Sequence, residues 1–267
     1  VEIFCEGIIS KDAKKRIKEI REAFEEGFLD ELVSSLLENK ACVDMGKISK
    51  PAFIIVDALV DSLTSEVGRA LIGLSIMQLC IKSIKPEQNI RLHKGSSNRA
   101  SFSWVEGVSM RTLDKNYVTP TLRKHNLLRL NADGFMMTRS LAENYPYTSL
   151  YKANLRGARE QWLALVEELE NGTTTPIETL KYLISRLINA ASDFDVAAEE
   201  LLNVVNQIIG KFSTRSLVTS LLKQHADDSD YAARLLEVNM HSLMQTAVER
   251  GTFGCMEVKP LSQMRSA

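Results

Sequence analysis

Apolar side chains recur every three or four positions through most of this chain, which predicts a mainly helical protein. In residues 1 to 85, Ser10 can cap a helix that continues to Phe24, and Gly27 is expected to break or bend it. Pro51 fits the first turn of another helix. The run from Val67 to Ile81 is almost wholly apolar. It predicts a buried helix, because a bilayer span needs about 20 residues.

The middle of the chain, residues 86 to 162, changes in character and has loops, glycines and short alternating runs. From Ala100 to Val105 small or polar residues alternate with large ones, which predicts a strand. Thr119 and Pro120 predict the N-cap and the first position of a short helix that ends near His125.

After this short helix, the runs at 127–130 and 135–138 are joined by a turn in which Gly134 supplies the positive φ. The two runs predict a hairpin, and a short helix followed by a hairpin is typical of a winged helix. We therefore expect a helical scaffold with a small β-containing, winged-helix-like insertion.

The rest of the chain is predicted to be helical again. Capping and breaking residues predict helices at about Thr148–Glu170, Thr175–Ala191, Asp193 or Asp195 to Gly210, Ser213 or Thr214 to His225, and Ser229–Arg250. The chain thus divides into an N-terminal helical region (1–85), a basic recognition segment (86–162) and a C-terminal helical region that ends in a short strand (163–267).

Charge is sorted by position, although the whole chain has a net charge of only −1. The stretch from Lys82 to Arg159 holds 14 basic and 5 acidic residues, a net charge of +9, whereas the remainder holds 19 basic and 29 acidic residues, a net charge of −10. A local block of positive charge indicates a polyanionic partner, such as the phosphates of duplex DNA. The alternative is a solvated basic face on a domain whose aromatic residues are core.

Side chains suited to phosphates and base edges are interleaved in this block. Arginine can bond a guanine edge through two atoms, asparagine can do so with adenine, and serine can bond phosphate. We expect DNA contacts from Lys94, Asn98, Arg99, Ser101, Arg111, Arg123, Lys124, Arg139, Asn144, Lys152, Arg156 and Arg159. Trp104, Tyr145 and Tyr151 are predicted to pack and to orient these side chains.

The helix expected after Thr148 adds a geometric argument. Lys152, Arg156 and Arg159 are spaced by four and three residues, so they would share one face. The N-terminal end of this helix would favour a phosphate, and Gly157 within it predicts close approach of another backbone. The alternative is an exposed basic face with a packing glycine.

The four cysteines and four histidines are scattered, without the spacing of a structural zinc site. Free, buried thiols in a reducing cytosol are therefore expected, and with them a cytoplasmic protein that has no membrane partner. Near the end, residues 253–259 predict a strand on which Glu257 and Lys259 face one way. Metal-dependent nucleases use such a pair, with the carboxylate holding Mg²⁺ and the lysine positioning water.

Four segments of the middle region, Ser101–Gly107, Tyr117–Arg123, Asn131–Tyr147 and Leu150–Ala153, resemble the type II restriction endonucleases of bacterial restriction-modification systems. The resemblance covers about residues 95 to 162. It implies sequence-specific cleavage of duplex DNA with Mg²⁺, usually by a homodimer. Such enzymes need a catalytic core of an acid followed by acid-x-Lys, and only Glu257 and Lys259 match it here.

Because the chain begins at Val1 and its last residues carry no capping pattern, we expect a piece of a longer protein. The remaining catalytic residues would then lie beyond Ala267, and this chain would be inactive alone. Two other functions stay open. One is a non-enzymatic DNA-binding regulator built on residues 119–138, and the other is a helical module whose basic segment binds an acidic protein.

Overall fold

The structure, a computed structural model, confirms a mainly helical protein. It describes residues 3–128, 130, 132–137, 141, 145–151, 157–209, 216, 219–220, 223 and 232–251. By its internal contacts the chain divides into two units, Val1–Asp193 and Phe194–Ala267. The helices are α1 (Lys11–Glu25), α2 (Phe28–Leu37), α3 (Lys50–Asp61), α4 (Glu66–Ile84), α5 (Met110–Leu113), α6 (Thr119–Lys124), α7 (Arg159–Glu170), α8 (Pro176–Ile209) and α9 (Ala232–Glu249).

Local sequence signals start and stop the first helices as predicted. At the start of α1, Ser10 Oγ accepts a hydrogen bond from Ala13 N at 3.1 Å, and Ser49 Oγ does the same for Ala52 N at 3.2 Å at the start of α3. Gly27, with a φ of +94°, separates α1 from α2. These helices therefore follow from short-range chemistry.

Helix α4 is the predicted buried helix and lies in the core of the first unit, where it packs on α1, α3 and α7. By length and composition it could cross a membrane, and 78% of its apolar 18-residue window is buried inside the fold. The same core holds Ile20, Val118 and Leu165, one from each region recognised in the sequence. The recognition segment is therefore packed on the helical scaffold.

The aromatic residues around the start of α7 are largely core. Tyr147, Tyr151 and Trp162 are buried and meet edge to face, with ring centroids 4.9 to 5.7 Å apart. Trp162 Nε1 donates to Gln78 Oε1 of α4 at 2.9 Å. The prediction of packing is confirmed for Tyr151 and is wrong for Tyr145, which is exposed because Tyr147 is the side chain that enters the core here.

The helix expected from Thr148 begins only at Arg159. Tyr151 N donates to Thr148 O in a turn, and the buried Tyr151 ring fixes the chain there. Gly157 has a φ of +83°, which no helix contains, and an added Cβ would meet nothing within 4 Å. The glycine is therefore needed for its backbone conformation and not for close approach of another backbone, whereas the predicted helix end at Asn171 is confirmed.

The predicted break near Asp193 or Asp195 is wrong, because both residues lie inside α8. No proline or glycine stands between Pro176 and Gly210 to end that helix. Helix α9 confirms the helix expected at 229–250. Most of the helix expected before it lies outside the described residues.

A β insertion is not confirmed in the described part of the middle segment. In place of a strand, Trp104 forms one antiparallel bridge to Glu6, and His93 forms one parallel bridge to Val108. Phe135–Met137, expected in the second hairpin strand, is a 3-10 turn. Its amides bond to a buried carboxylate and not to a partner strand.

Candidate nucleic-acid interface

Two residues at the start of the positive block are buried and structural. Lys82 Nζ lies 3.1 Å from Glu170 Oε2 and donates to the carbonyl oxygen of Pro86 at 2.9 Å. Arg91 Nη2 lies 2.7 Å from Glu167 Oε2, and its Nη1 lies 3.8 Å from Glu170 Oε2. Both acids belong to α7, so the charges of these two basic residues are compensated within the fold.

Two further basic residues pair with acids of the N-terminal helices. Lys85 pairs with Glu19 of α1, and Lys124 Nζ lies 2.8 Å from Asp30 Oδ2 of α2. Hydrogen bonds from Lys124 and His125 lower the pKa of the Asp30 carboxyl. Lys124, expected to contact DNA, is thus already matched by a carboxylate.

The other described basic residues of the block form no salt bridge with a carboxylate in the part of the chain that the structure describes, although Arg111 lies close enough to the buried Asp114 to favour its charged form. We call them the uncompensated basic residues: Lys94, Arg99, Arg111, Lys115, Arg123 and Arg159. Four of them are exposed: Arg99, Arg111, Lys115 and Arg123. The basic residues that remain accessible to a ligand are therefore fewer than those of the sequence block, and the first of them is Lys94.

Lys94 starts a loop that is held by backbone contacts. Its φ is +77°, in the left-handed region, its N–H donates to Val108 O at 2.9 Å, and its carbonyl accepts from Trp104 N at 3.1 Å. Where the loop begins, Gly95 faces Gly107 so closely that a Cβ on Gly95 would lie 2.1 Å from the Gly107 carbonyl oxygen. Only glycine fits there, and the strained Lys94 is held from both sides.

The exposed end of this loop carries Asn98, Arg99 and Ser101. Asn98 Oδ1 accepts a hydrogen bond from Ala100 N at 2.9 Å, so the amide group has its acceptor engaged and its Nδ2 donors available. Bidentate contact with adenine uses both groups, and Oδ1 keeps a second lone pair for it, so the expectation for Asn98 stays a prediction. Together with Glu6, Gly7 and Ile8, the three side chains line an open depression that combines their hydrogen-bond donors with the carboxylate of Glu6.

Arg111 and Arg123 lie on one helical run, in which α5 and α6 are joined by a π turn at Asp114–Val118. Arg111 Nη2 donates to Met136 O at 3.3 Å, and Arg123 Nη1 donates to Leu130 O at 3.0 Å. Both guanidinium groups thus hold the loop that follows α6. Each is exposed and keeps further N–H donors for a ligand.

Asp114, in the π turn, is a buried carboxylate that sequence reasoning missed. Its Oδ1 accepts from Thr119 Oγ1 at 2.5 Å, and its Oδ2 accepts from Met136 N at 2.7 Å. Burial raises the pKa of Asp114 to about 6, against the effect of these hydrogen bonds and of Arg111. The one feature of the sequence that could have indicated this carboxylate is an isolated acidic residue five positions before Thr119.

His93 lies beside the same arginine. It is buried, and its Nδ1 has no hydrogen-bond partner among the residues described. Burial, followed by the charges of Arg111 and Lys94, lowers the pKa of His93 to about 4. The imidazole is therefore neutral at physiological pH, and both cations are close enough to disfavour its protonated form.

Several expected site residues lie outside the described residues: Arg139, Asn144, Lys152, Arg156, Glu257 and Lys259. Arg159, which is described, is half-buried at the start of α7 and donates to the carbonyl oxygen of Tyr151. It is therefore not the last of three basic residues on a helix that begins at Thr148.

Within the described ranges, no group of three or more His, Cys, Asp or Glu side chains is placed to hold a metal ion. The expectation of buried thiols holds for Cys80, whose pKa is raised by burial, and is wrong for Cys5 and Cys42, which are free and exposed. These two lie in segments without regular structure, where packing does not cover them. Comparison of the chain with protein-family models, with curated proteins and with solved structures finds no match.

Proposed function

We propose that the uncompensated basic residues bind the phosphate backbone of duplex DNA. The division among the described basic residues of the block carries this proposal. Four are matched by carboxylates of α1, α2 and α7, and six are not. Exposed positive charge without a partner in the fold attracts a polyanion.

Two observations favour DNA over an acidic protein surface. The loop end offers hydrogen-bond donors of three kinds, from Asn98, Arg99 and Ser101, which suit phosphate oxygens and the acceptor edge of guanine. The segments that resemble type II restriction endonucleases include Ser101 at the end of this loop and most of helix α6.

A salt-titrated affinity measurement tests DNA binding. Because each neutralised phosphate contributes about −0.9 to the slope of log affinity against log salt, Arg99→Gln with Lys115→Gln should make the slope shallower by about 2. Neither side chain has a hydrogen-bond or ion-pair partner among the described residues, so folding should be unchanged. The matched control is Lys18→Gln with Lys40→Gln, which removes two exposed charges outside the block. Equal slopes for the two double variants, or a salt-independent wild-type affinity, would exclude the proposed surface.

We further propose that the chain belongs to a type II restriction endonuclease that cuts DNA with Mg²⁺, as a homodimer in the cytoplasm. The support is the sequence resemblance and the Glu257-x-Lys259 pair, with Glu257 as the metal ligand. The small β-containing, winged-helix-like insertion in the middle segment, which the described residues do not confirm, stays part of this proposal. Discrete fragments from plasmid DNA that appear only with Mg²⁺ would support cleavage, whereas binding without cutting would indicate a regulator or an inactive piece.

A further inference from the structure

One residue of the loop after α6, Met136, is held through both its backbone N–H and its carbonyl oxygen by the same helical run. Asp114 Oδ2 accepts from Met136 N at 2.7 Å, and Arg111 Nη2 donates to Met136 O at 3.3 Å. Arg111 and Asp114 are three residues apart, so their side chains project from the same side of the helix. The carboxylate and the guanidinium therefore share one backbone partner.

The turn that carries Met136 is shaped to fit the carboxylate. Gly134 has a φ of +94°, and a Cβ on it would lie 2.4 Å from Asp114 Oδ2. On the other side of the turn, the Phe135 ring packs closely on Gly73 of α4. A Cβ added to Gly73 would lie 2.7 Å from the Phe135 ring. The turn is thus fixed between Asp114 and the core.

We infer that Asp114 is a positioning residue for the proposed DNA surface, which it serves by holding the Met136 carbonyl where it orients the guanidinium of Arg111. The inference rests on the proposed function, because that function has Arg111 bind a DNA phosphate. Asp114 itself is buried and cannot reach DNA.

Protonation of Asp114 should weaken this arrangement, because a neutral carboxyl group is a poorer acceptor for the amide hydrogens and for Thr119. The groups that face the carboxylate are Arg111 from its own helical run, the Thr119 hydroxyl of α6, and the amides of Phe135 and Met136 from the packed turn. With the pKa of Asp114 raised to about 6, the change falls between pH 7.5 and pH 5.

A double-mutant cycle on DNA affinity tests the inference. At pH 7.5, Arg111→Gln and Asp114→Asn should each reduce affinity several-fold and make the salt slope shallower by about 0.9. The double variant should match the single variants, because both substitutions remove the same phosphate contact. Additive losses in affinity and slope would overturn the inference.

A second comparison keeps the test valid if Asp114→Asn does not fold. Wild-type affinity should fall from pH 7.5 to pH 5 relative to Arg111→Gln, in which the contact is already absent. A constant ratio between the two proteins would overturn the positioning role even while Arg99→Gln with Lys115→Gln still weakens binding. Failure of the wild type to bind DNA would overturn the proposed function and this inference together.

Discussion

Thr119 Oγ1 donates a 2.5 Å hydrogen bond to Asp114 Oδ1 across the π turn, while the backbone N–H of Thr119 bonds to the carbonyl of Asp114. The wider turn also accommodates Pro120, which lacks an N–H and would clash with the carbonyl four residues earlier in a regular helix. The helix predicted at 119–124 is therefore present, but Thr119 binds a buried acid and does not act as an N-cap.

Thr119→Val should destabilise the protein by about 1 to 3 kcal/mol at pH 7.5, because it leaves one oxygen of a buried carboxylate without its hydroxyl donor. Thr119→Ser keeps the hydroxyl and should lose well under half as much. Urea unfolding of the two variants makes the comparison. Equal losses would contradict the role of the hydrogen bond, because Thr119→Ser keeps the hydroxyl and loses the methyl group, whereas Thr119→Val does the reverse.

Asp114 should make the protein less stable as the pH rises. Its pKa is raised from 3.8 to about 6 in the folded state, so the folded protein binds more protons than the unfolded one between these values. The free energy of unfolding should therefore fall by about 2 kcal/mol from pH 4 to pH 6 on account of this group. Asp114→Asn should remove that fall in urea titrations at a series of pH values.

His93 should act in the opposite direction. Its pKa is lowered from 6.5 to about 4, so the folded protein binds fewer protons in this window and stability rises with pH by about 2 kcal/mol. In the wild type the two contributions largely cancel between pH 4 and pH 6. Relative to wild type, His93→Gln should shift the pH slope downward and Asp114→Asn should shift it upward. Shifts of the same sign in both variants would contradict the assignment.

The elements that sequence patterns predicted are those fixed by neighbours in the chain. The Ser10 cap, the Gly27 break and the apolar run of α4 each act over a few residues, and all three appear in the structure. The late start of α7 depends instead on Tyr151 packing against Trp162. The spacing of residues along the chain does not predict that contact.

The charges of the candidate site also could not be interpreted fully from the sequence. Counting residues found the basic block, but Lys82 finds its partner in Glu170 of α7, and Lys124 finds its partner in Asp30 of α2. Pairing of this kind depends on the tertiary fold. Asp114 is similar, because its partner Met136 lies beyond a loop and reaches it through backbone groups that no side-chain pattern records.

Lys82→Met should distinguish the basic residues that stabilise the fold from those that bind DNA. It leaves Glu170 buried with one cation fewer, so we expect a loss of about 3 kcal/mol in the free energy of unfolding. DNA affinity at fixed salt should stay within twofold of wild type, because Lys82 is buried. Arg99→Gln with Lys115→Gln should show the reverse, with altered affinity and a stability change within about 0.5 kcal/mol. A tenfold loss of affinity in a folded Lys82→Met protein would contradict this division.

Gly95→Ala should destabilise the protein by about 3 kcal/mol, because the new Cβ would lie 2.1 Å from the backbone oxygen of Gly107 and the loop would have to move. Gly157→Ala is the matched control, since it meets open space and suffers only from its φ of +83°, at about 1 to 2 kcal/mol. Thermal unfolding of the two variants should rank them in this order. The reverse order would mean that the Gly95–Gly107 contact relaxes easily.

Lys94→Gly should weaken DNA binding without weakening the fold. The backbone at Lys94 has a φ of +77°, which glycine adopts without strain, so relief of about 1 kcal/mol offsets the lost contact of Nζ with the Phe102 ring. Lys94→Ala removes the same charge and keeps the strain. The two variants should therefore share a reduced DNA affinity and a shallower salt slope, while the glycine variant is more stable in urea by about 1 kcal/mol. Because only the backbone conformation distinguishes them, equal stability would show that Lys94 is not strained, and equal affinity to wild type would remove it from the DNA surface.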